Sequence, residues 1–410
     1  MLIRSERINK GYSLRELGQK TNISHTLISN IEHGKQVPSN HTLQDLFREL
    51  DIVFHVNPEL HKEFTEKSAK IYNYIFNHYY EEAGILINQL TEHDNELMYS
   101  IDGVDYIVIK GLYYASVNKK LDGIRRFFDL YSSLFDFFTD DQKQIVYFIQ
   151  GMVLLLEQQY NKATDCFKEA LRHGNKELDV LIQQYLAESL VKQYKFIDAY
   201  RICTEIIKEF EERSIYIRAM KTKILVANIF YHIAKNNEVY EITSNVLRFA
   251  RKYNVPELLE ECIRFHVEID IRNREFEKAE EQLLNMPDQH SDMTVLLRFK
   301  FAYIKDDFEN MKKYYDILSE QSTIQNNQKV WKYLQVQVMS KVPGVFDKEK
   351  YLELIKWLIE FSTKNNDQEM ITLSYNYLIM FYHQERSYKK ALEVADKLLH
   401  FKKIRIDNQF

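Results

Sequence analysis

The stretch Tyr147–Ala170, YFIQGMVLLLEQQYNKATDCFKEA, decides the fold of most of this chain. Its spacing runs bulky Tyr147, small Gly151, bulky Leu154, then aromatic Tyr160, small Ala163, bulky Phe167 and small Ala170. Apolar residues three and four apart put one stripe on each of two helices, and the polar interval Glu157–Gln159 between them is only long enough for a turn. Small residues allow the two helices to cross closely. A pair of this kind is apolar on both broad faces and can bury them only against further pairs, so one unit predicts a stack.

The turn signature, an aromatic followed three positions later by a small residue, returns at Phe196/Ala199, Phe276/Ala279 and Tyr388/Ala391. Weaker copies stand at Tyr80/Ala83, Leu121/Ile124, Tyr240/Thr243 and Phe308/Met311, and a further pair is expected near Asp347/Lys350. The intervals, roughly 32 to 44 residues, bracket the ~34 of a tetratricopeptide unit, which the stretch at Tyr147 resembles in spacing and residue type. The expectation is an all-α chain in which residues 57–410 form a right-handed tetratricopeptide-repeat superhelix of about nine helix pairs. Most Tyr and Phe fall in the packing register and belong to the core.

Composition agrees. Only 10 Gly and 5 Pro punctuate 410 residues, too few for a loop-rich sandwich or a glycine-cradled phosphate site. A hydrophobic content of 45% excludes disorder. A net charge of -5 excludes a basic coat for nucleic acid or membrane, so any DNA contact is local. Cys166, Cys203 and Cys262 lie far apart with no metal-ligand spacing, which predicts no disulfide framework, no zinc site and a reducing cytoplasm. The longest apolar run, Ile145–Leu156, is broken by Gln150 and stopped by Glu157, short of the ~18 residues a membrane span needs. No cofactor, metal or membrane anchor is expected, and no H-E-x-x-H, G-x-S-x-G or phosphate-loop pattern suggests an enzyme.

The first fifty residues carry different punctuation. Gly11 ends a first helix; Ser13 and Glu16 make a capping box for a second, which Asn22 breaks. Ser24 caps a third helix to about His33, Gly34 stops it, Pro38 forbids its continuation, and Ser39 caps a fourth to about Leu50. Leu14, Leu17, Ile23, Ile28, Ile31, Leu43, Leu46, Phe47 and Leu50 fall at helical spacing and predict one small core. Helices two and three form a helix-turn-helix whose second member fits the DNA major groove. With Ile28 and Ile31 turned inward, His25, Thr26, Ser29 and Asn30 face outward as base-reading candidates, Asn30 with the bidentate geometry for adenine. Arg4, Arg7, Arg15 and Lys35, with Ser24 at the helix start, lie around that face and suit phosphates.

Ser-Leu-Arg-Glu-Leu-Gly over residues 13–18, Ile23–Lys35 and the Pro38-Ser39 turn together resemble the Xre/Cro-type helix-turn-helix family. Leu14 stands where many members carry Gln, leaving Arg15 as the nearest polar substitute, and Gly18 stands where Ala is usual. Such a head over residues 1–56, followed at once by tetratricopeptide-like repeats, resembles the RRNPP group of cytoplasmic peptide-pheromone receptors of Gram-positive bacteria. The resemblance implies a homodimeric transcriptional regulator of quorum-sensing type, bound to a double-stranded DNA operator. It also implies a short signalling peptide held in the concave groove of the repeats.

Carried along the array, the repeat register gives the groove positions. Ile145, Phe148, Met152 and Leu155 come from one pair. The polar peptide-binding candidates are Gln184 and Glu188; Asn228 and His232; Glu261, Arg264 and Glu268; Lys300 and Tyr303; Gln335; and Asn376 and His383. Amides can satisfy a peptide N–H and C=O together. Two alternatives stay open from the residues alone: an adaptor whose array captures a partner protein, and a peptide-independent dimeric repressor.

Overall fold

A computed structural model describes residues 2–117, 135, 138–174, 176–365 and 367–407. Among the described residues every regular element is an α-helix, and the chain divides into two compact units, 1–186 and 187–410.

The first unit begins with the head: α1 (Leu2–Asn9), α2 (Leu14–Thr21), α3 (His25–Glu32) and α4 (Asn40–Glu49). The expected punctuation is in place. Ser13 and Glu16 cap reciprocally, Ser24 accepts the Leu27 N–H and Ser39 that of Thr42, while Asn22 ends α2 in the left-handed region at φ 57°. Leu17, Ile28, Ile31, Leu46 and Leu50 close the core with Ile3 and Ile52, and Leu14, Ile23, Leu43 and Phe47 pack around them. Tyr99, from beyond the head, joins the same cluster, and its carbonyl accepts the His55 N–H at 2.9 Å. Gly18, where Ala is usual, is set by space, because a Cβ there would lie 2.7 Å from the Ile23 carbonyl oxygen.

The rest of the unit is α5 (Pro58–Phe76), α6 (Tyr80–Thr91), α7 (Asp94–Met98), α8 (Gly103–Ser116), α9 (Asp140–Leu156), α10 (Tyr160–Ala170) and the start of α11 (Asp179–Lys192). The stretch that opened the reading is the α9–α10 pair. A Cβ on Gly151 would stand 2.4 Å from the Phe167 ring, which is why that position is small. Ala163, Phe167 and Ala170 are fully buried. Phe148 packs between Phe167 and Tyr185 at centroid distances of 6.1 and 5.2 Å. That contact corrects the expectation that Phe148 and Met152 line a groove: both are buried in the core between pairs.

The second unit continues through α12 (Phe196–Glu212), α13 (Tyr216–His232), α14 (Asn236–Tyr253), α15 (Pro256–Arg272), α16 (Phe276–Leu284), α17 (Asp292–Lys305) and α18 (Phe308–Glu320). It ends with α19 (Ser322–Asn326), α20 (Gln328–Lys341), α21 (Lys348–Asn365), α22 (Gln368–Gln384) and α23 (Tyr388–Asp407). Each second helix is clamped between its own first helix and the next, as where Val239, Val246 and Ala250 of α14 meet Ala227 of α13 and Phe265 of α15.

The repeats share a backbone device that the sequence pattern does not announce. His78, Gln158, Tyr194, Ala234, Arg274, Asp306 and Arg386 all have positive φ, and each stands two residues before the second helix of a pair. The next N–H reaches back to close the preceding helix, as Gln159 to the Leu154 carbonyl at 2.8 Å and Glu275 to that of Asp270 at 2.8 Å, which is the Schellman arrangement. None is Gly, so each turn bears about 1–2 kcal/mol of left-handed strain that stacking offsets. The expected turns at Tyr80, Phe196, Phe276, Phe308 and Tyr388 all open helices, and Lys348 opens one beside Asp347. Tyr240/Thr243 is one turn late: α14 opens at Asn236 with Val239 in the small position, because Tyr240 and Thr243 instead bond to Asp270 and His266. Leu121/Ile124 lies outside the described residues.

Candidate DNA-reading face and peptide-binding wall

On the head, α3 leaves His25 and Thr26 exposed and Ser29 and Asn30 half-buried. Arg15 and Lys35 are exposed and Arg4 is half-buried. A depression of about 450 Å³ between α2 and α3 is lined by Arg15, Gly18, Gln19, Asn22, Ile23, Ser24 and His25. Gln19 and Asn22 were not among the sequence candidates, although exposed amides beside the reading helix were the available signal. Ser24 doubles as the α3 cap, so its oxygen is engaged while its hydroxyl proton stays available.

Arg7 does not belong with the phosphate candidates. Its Nε and Nη2 donate to the two carboxylate oxygens of Glu32 at 2.7 and 2.9 Å, and Nη1 donates to the Tyr12 carbonyl at 2.8 Å. Glu32, on the inner face of α3, is 1% exposed and claims that guanidinium.

In the second unit the first helices of successive pairs share one wall. On α15, Arg264 donates to Glu261 at 2.8 and 3.0 Å and to Glu268 at 3.1 Å, and Lys300 on α17 donates to Glu268 at 3.1 Å. Arg264 and Lys300 are therefore not free cations awaiting a carboxylate; each is matched by acids of the same wall. Burial opposes their charges, and these carboxylates outweigh it to raise both pKa values. Burial would raise the Glu268 carboxyl, but Lys300 and Arg264 hold it below its ordinary value.

Glu188 differs. Half-buried at the start of the wall, it makes no hydrogen bond or close ion pair among the described residues. Burial pushes its carboxyl up, opposed by Lys192 and Lys221 and reinforced by Glu261. Asn228 on α13 is likewise half-buried, and its amide has no hydrogen-bond partner among the described residues. One turn on, His232 lies against Tyr194 at 5.0 Å and stacks on Phe196 at 5.5 Å. Burial lowers its pKa against the pull of Glu369. Glu369 also accepts from the Tyr194 hydroxyl at 3.2 Å, across 175 positions of sequence. No sequence spacing could have paired those two.

The remaining candidates disperse. Tyr303 hydrogen-bonds the Tyr377 hydroxyl at 2.9 Å, with Lys341 over its ring at 4.2 Å. Gln335 is half-buried on α20, near the Tyr315 hydroxyl of α18. Asn376 and His383 are exposed, His383 edge-on to Tyr388 at 5.4 Å. Gln184 lies in the first unit and is buried at 5% exposure, so it is not presented to a ligand. Burial pushes the Cys203 and Cys262 thiols up to about 12, leaving them poor nucleophiles. Among the described residues no three His, Cys, Asp or Glu side chains gather as metal ligands, and no helix is long and apolar enough to cross a membrane.

The helix-turn-helix family matches this chain over residues 3–53. No curated protein matches the sequence. Among solved structures, the chain is similar to a Rap protein complexed with competence and sporulation factor, at a TM-score of 0.66 and 13% identity, covering 84% of this chain and 99% of that one. It is similar to NprR in complex with its cognate peptide NprX, at 0.64 and 12%, covering 82% and 98%. The apo form of the quorum sensor NprR from B. thuringiensis gives 0.58 and 12%, covering 83% and 98%. Residues 3–53 therefore match the helix-turn-helix family, and over 82–84% of its length the chain shares the fold of the Rap and NprR structures, the two features that the RRNPP resemblance joins.

Proposed function

We propose that this protein is a cytoplasmic DNA-binding transcriptional regulator in which residues 1–56 read an operator and residues 57–410 receive a short signalling peptide. Two copies bind a two-fold operator, since one small head covers little DNA and paired heads match half-sites ~34–36 Å apart. The observation that carries the peptide reading is Asn228, a half-buried amide without a partner on a wall whose cations are otherwise matched. Its amide, engaged by no other side chain or backbone group among the described residues, can exchange water for a peptide N–H and C=O at once. The solved NprR and Rap complexes, which hold a peptide and a sporulation factor, support the same use of the fold.

Gating requires that the peptide bind two states of the array with different affinity, typically by ~1–3 kcal/mol. The test is mass spectrometry of the full chain purified from its own cells, followed by calorimetry with the recovered peptide on wild type and Asn228→Ala. The expectation is an extended peptide of about five to ten residues, a length the RRNPP resemblance implies, bound about ten- to a hundredfold more weakly by the variant. A stoichiometric protein in place of a peptide overturns this reading in favour of the adaptor. Equal affinities for wild type and variant remove Asn228 from the site.

A further inference from the structure

The head is pinned to the helices behind it by a single turn of chain. Residues 53–56 link Ile52, in the head core, to Asn57, whose side chain caps α5 by accepting the Leu60 N–H. Val53 is 65% and Val56 81% exposed, so the link packs little of itself. Fully extended, at ~3.5 Å per residue, it reaches about 17 Å. A head held by the link alone could therefore range over about five base pairs of DNA at ~3.4 Å each.

Tyr99 removes that freedom. Its side chain packs against the head cluster, and its carbonyl accepts the His55 N–H of the link at 2.9 Å. The Glu6 carboxylate of α1 faces its hydroxyl. The turn that carries Tyr99, between α7 and α8, is itself held. Ser100 donates from its hydroxyl to the Leu97 carbonyl at 2.9 Å and accepts the Asp102 N–H at 3.1 Å. Asp102, 7% exposed, takes His61 Nδ1 of α5 at 2.8 and 3.0 Å. At the start of α7, Asp94 accepts from Tyr106 and Lys110 of α8. A Cβ on Gly103 would stand 2.5 Å from the Met98 carbonyl oxygen, so α8 begins as close to α7 as its backbone permits. Tyr99 is a fixed post, tied to α5 and α8 behind it and to the head in front.

We propose that Tyr99 is a positioning residue for operator choice: by docking the head on the α7–α8 turn, it sets the half-site spacing that a dimer accepts. The proposal rests on the operator-binding homodimer proposed above and adds what limits its choice of operator. The outward side chains of α3 select the half-site, and Tyr99 selects the distance between two of them. Each added base pair moves the half-sites apart by ~3.4 Å and turns one against the other by about 35°. A tethered head follows such a change, whereas a docked head does not.

The test takes the two-fold sequence that the wild-type full chain selects from a random DNA library. Binding to it, and to versions with the half-sites moved apart by one, two and three base pairs, is measured by fluorescence anisotropy. Wild type is expected to lose about tenfold or more at a two-base-pair shift. Tyr99→Ala is expected to bind the selected spacing about tenfold more weakly, since preorganisation is lost, and to hold the shifted sites within about threefold of it. Tyr99→Phe keeps the ring and should keep the wild-type profile. Gly103→Ala disturbs the turn without touching the head and should broaden the profile as Tyr99→Ala does, with half-site sequence preference unchanged. A profile that stays narrow in both Tyr99→Ala and Gly103→Ala, or one already flat in wild type, overturns the role of Tyr99 and leaves the regulator standing. Lost half-site preference in both variants overturns it too, because Tyr99 would then belong to the fold of the head. Failure of wild type to select any two-fold sequence overturns the operator-binding homodimer as well.

Discussion

Arg7 grips Glu32 with two parallel N–H···O bonds, joining the first helix of the head to the buried side of α3. The carboxylate is 1% exposed, so the pair fixes the rotation of α3 and with it which residues face outward. Its geometry is that of a charge-assisted fork, completed by the Tyr12 carbonyl on the remaining nitrogen.

Removing one partner leaves the other buried and unmatched. Arg7→Ala is expected to cost about 3–5 kcal/mol in head stability, whereas the double change Arg7→Met with Glu32→Leu recovers most of it. Hydrogen exchange of the α1–α4 amides in the full chain reads this directly. Equal protection in Arg7→Ala and wild type would mean the fork contributes nothing.

The proposed reading face would separate two kinds of contact. Asn30→Ala is expected to relax sequence preference by ~1–3 kcal/mol at one position, while Arg15→Ala weakens all sites alike and lowers the salt slope by about one. Selection from a random DNA library at two salt concentrations distinguishes them. Unchanged discrimination in Asn30→Ala would take it off the face.

Gly151 faces the ring of Phe167, which has no room to retreat because Phe148 and Tyr185 pack against it. Gly151→Ala is expected to destabilise the α9–α10 pair by about 1–3 kcal/mol through overpacking. At Gly18 the obstacle is the Ile23 backbone carbonyl, so Gly18→Ala should loosen the α2–α3 turn to a similar degree. Local exchange rates test both, and a variant as protected as wild type would contradict the packing.

Glu188 and His232 give opposite pH signatures. Burial raises the Glu188 carboxyl above its ordinary 4.5, so the folded chain holds that proton more tightly than the unfolded one. Its effect is a loss of stability as pH rises from the ordinary value through the raised one. Glu188→Gln should therefore be more stable than wild type at neutral pH, with the two converging in acid. Burial lowers His232 below 6.5, so the unfolded chain binds the proton better and stability is lost as pH falls below that value. Urea midpoints of the second unit between pH 4 and 8 measure both trends. A Glu188→Gln midpoint below wild type at neutral pH would sink the first.

What the sequence determined by itself was local. The capping box at Ser13 and Glu16, the stop at Asn22, the caps at Ser24 and Ser39 and the small-residue crossing at Gly151 depend on groups within a few residues or within one helix pair. They could be read from order and spacing alone. Helical phase puts Asn228 and His232 one turn apart on α13, and both are half-buried there.

Tertiary structure decided which charges are already matched. Arg7 is a phosphate candidate until α3 brings Glu32 to it from 25 residues away, and Lys300 is a free cation until α15 and α17 set Glu268 beside it. Glu369, at the start of α22, meets Tyr194, in the turn after α11, only through the stacking of the pairs between them. The non-glycine left-handed turns at Gln158, Tyr194 and Arg274 carry no residue-type signal, since stacking rather than composition holds their strain. Periodicity gives the direction of a side chain about its own helix; the partner it meets depends on how the helices stack, and that follows from the summed packing of the whole array.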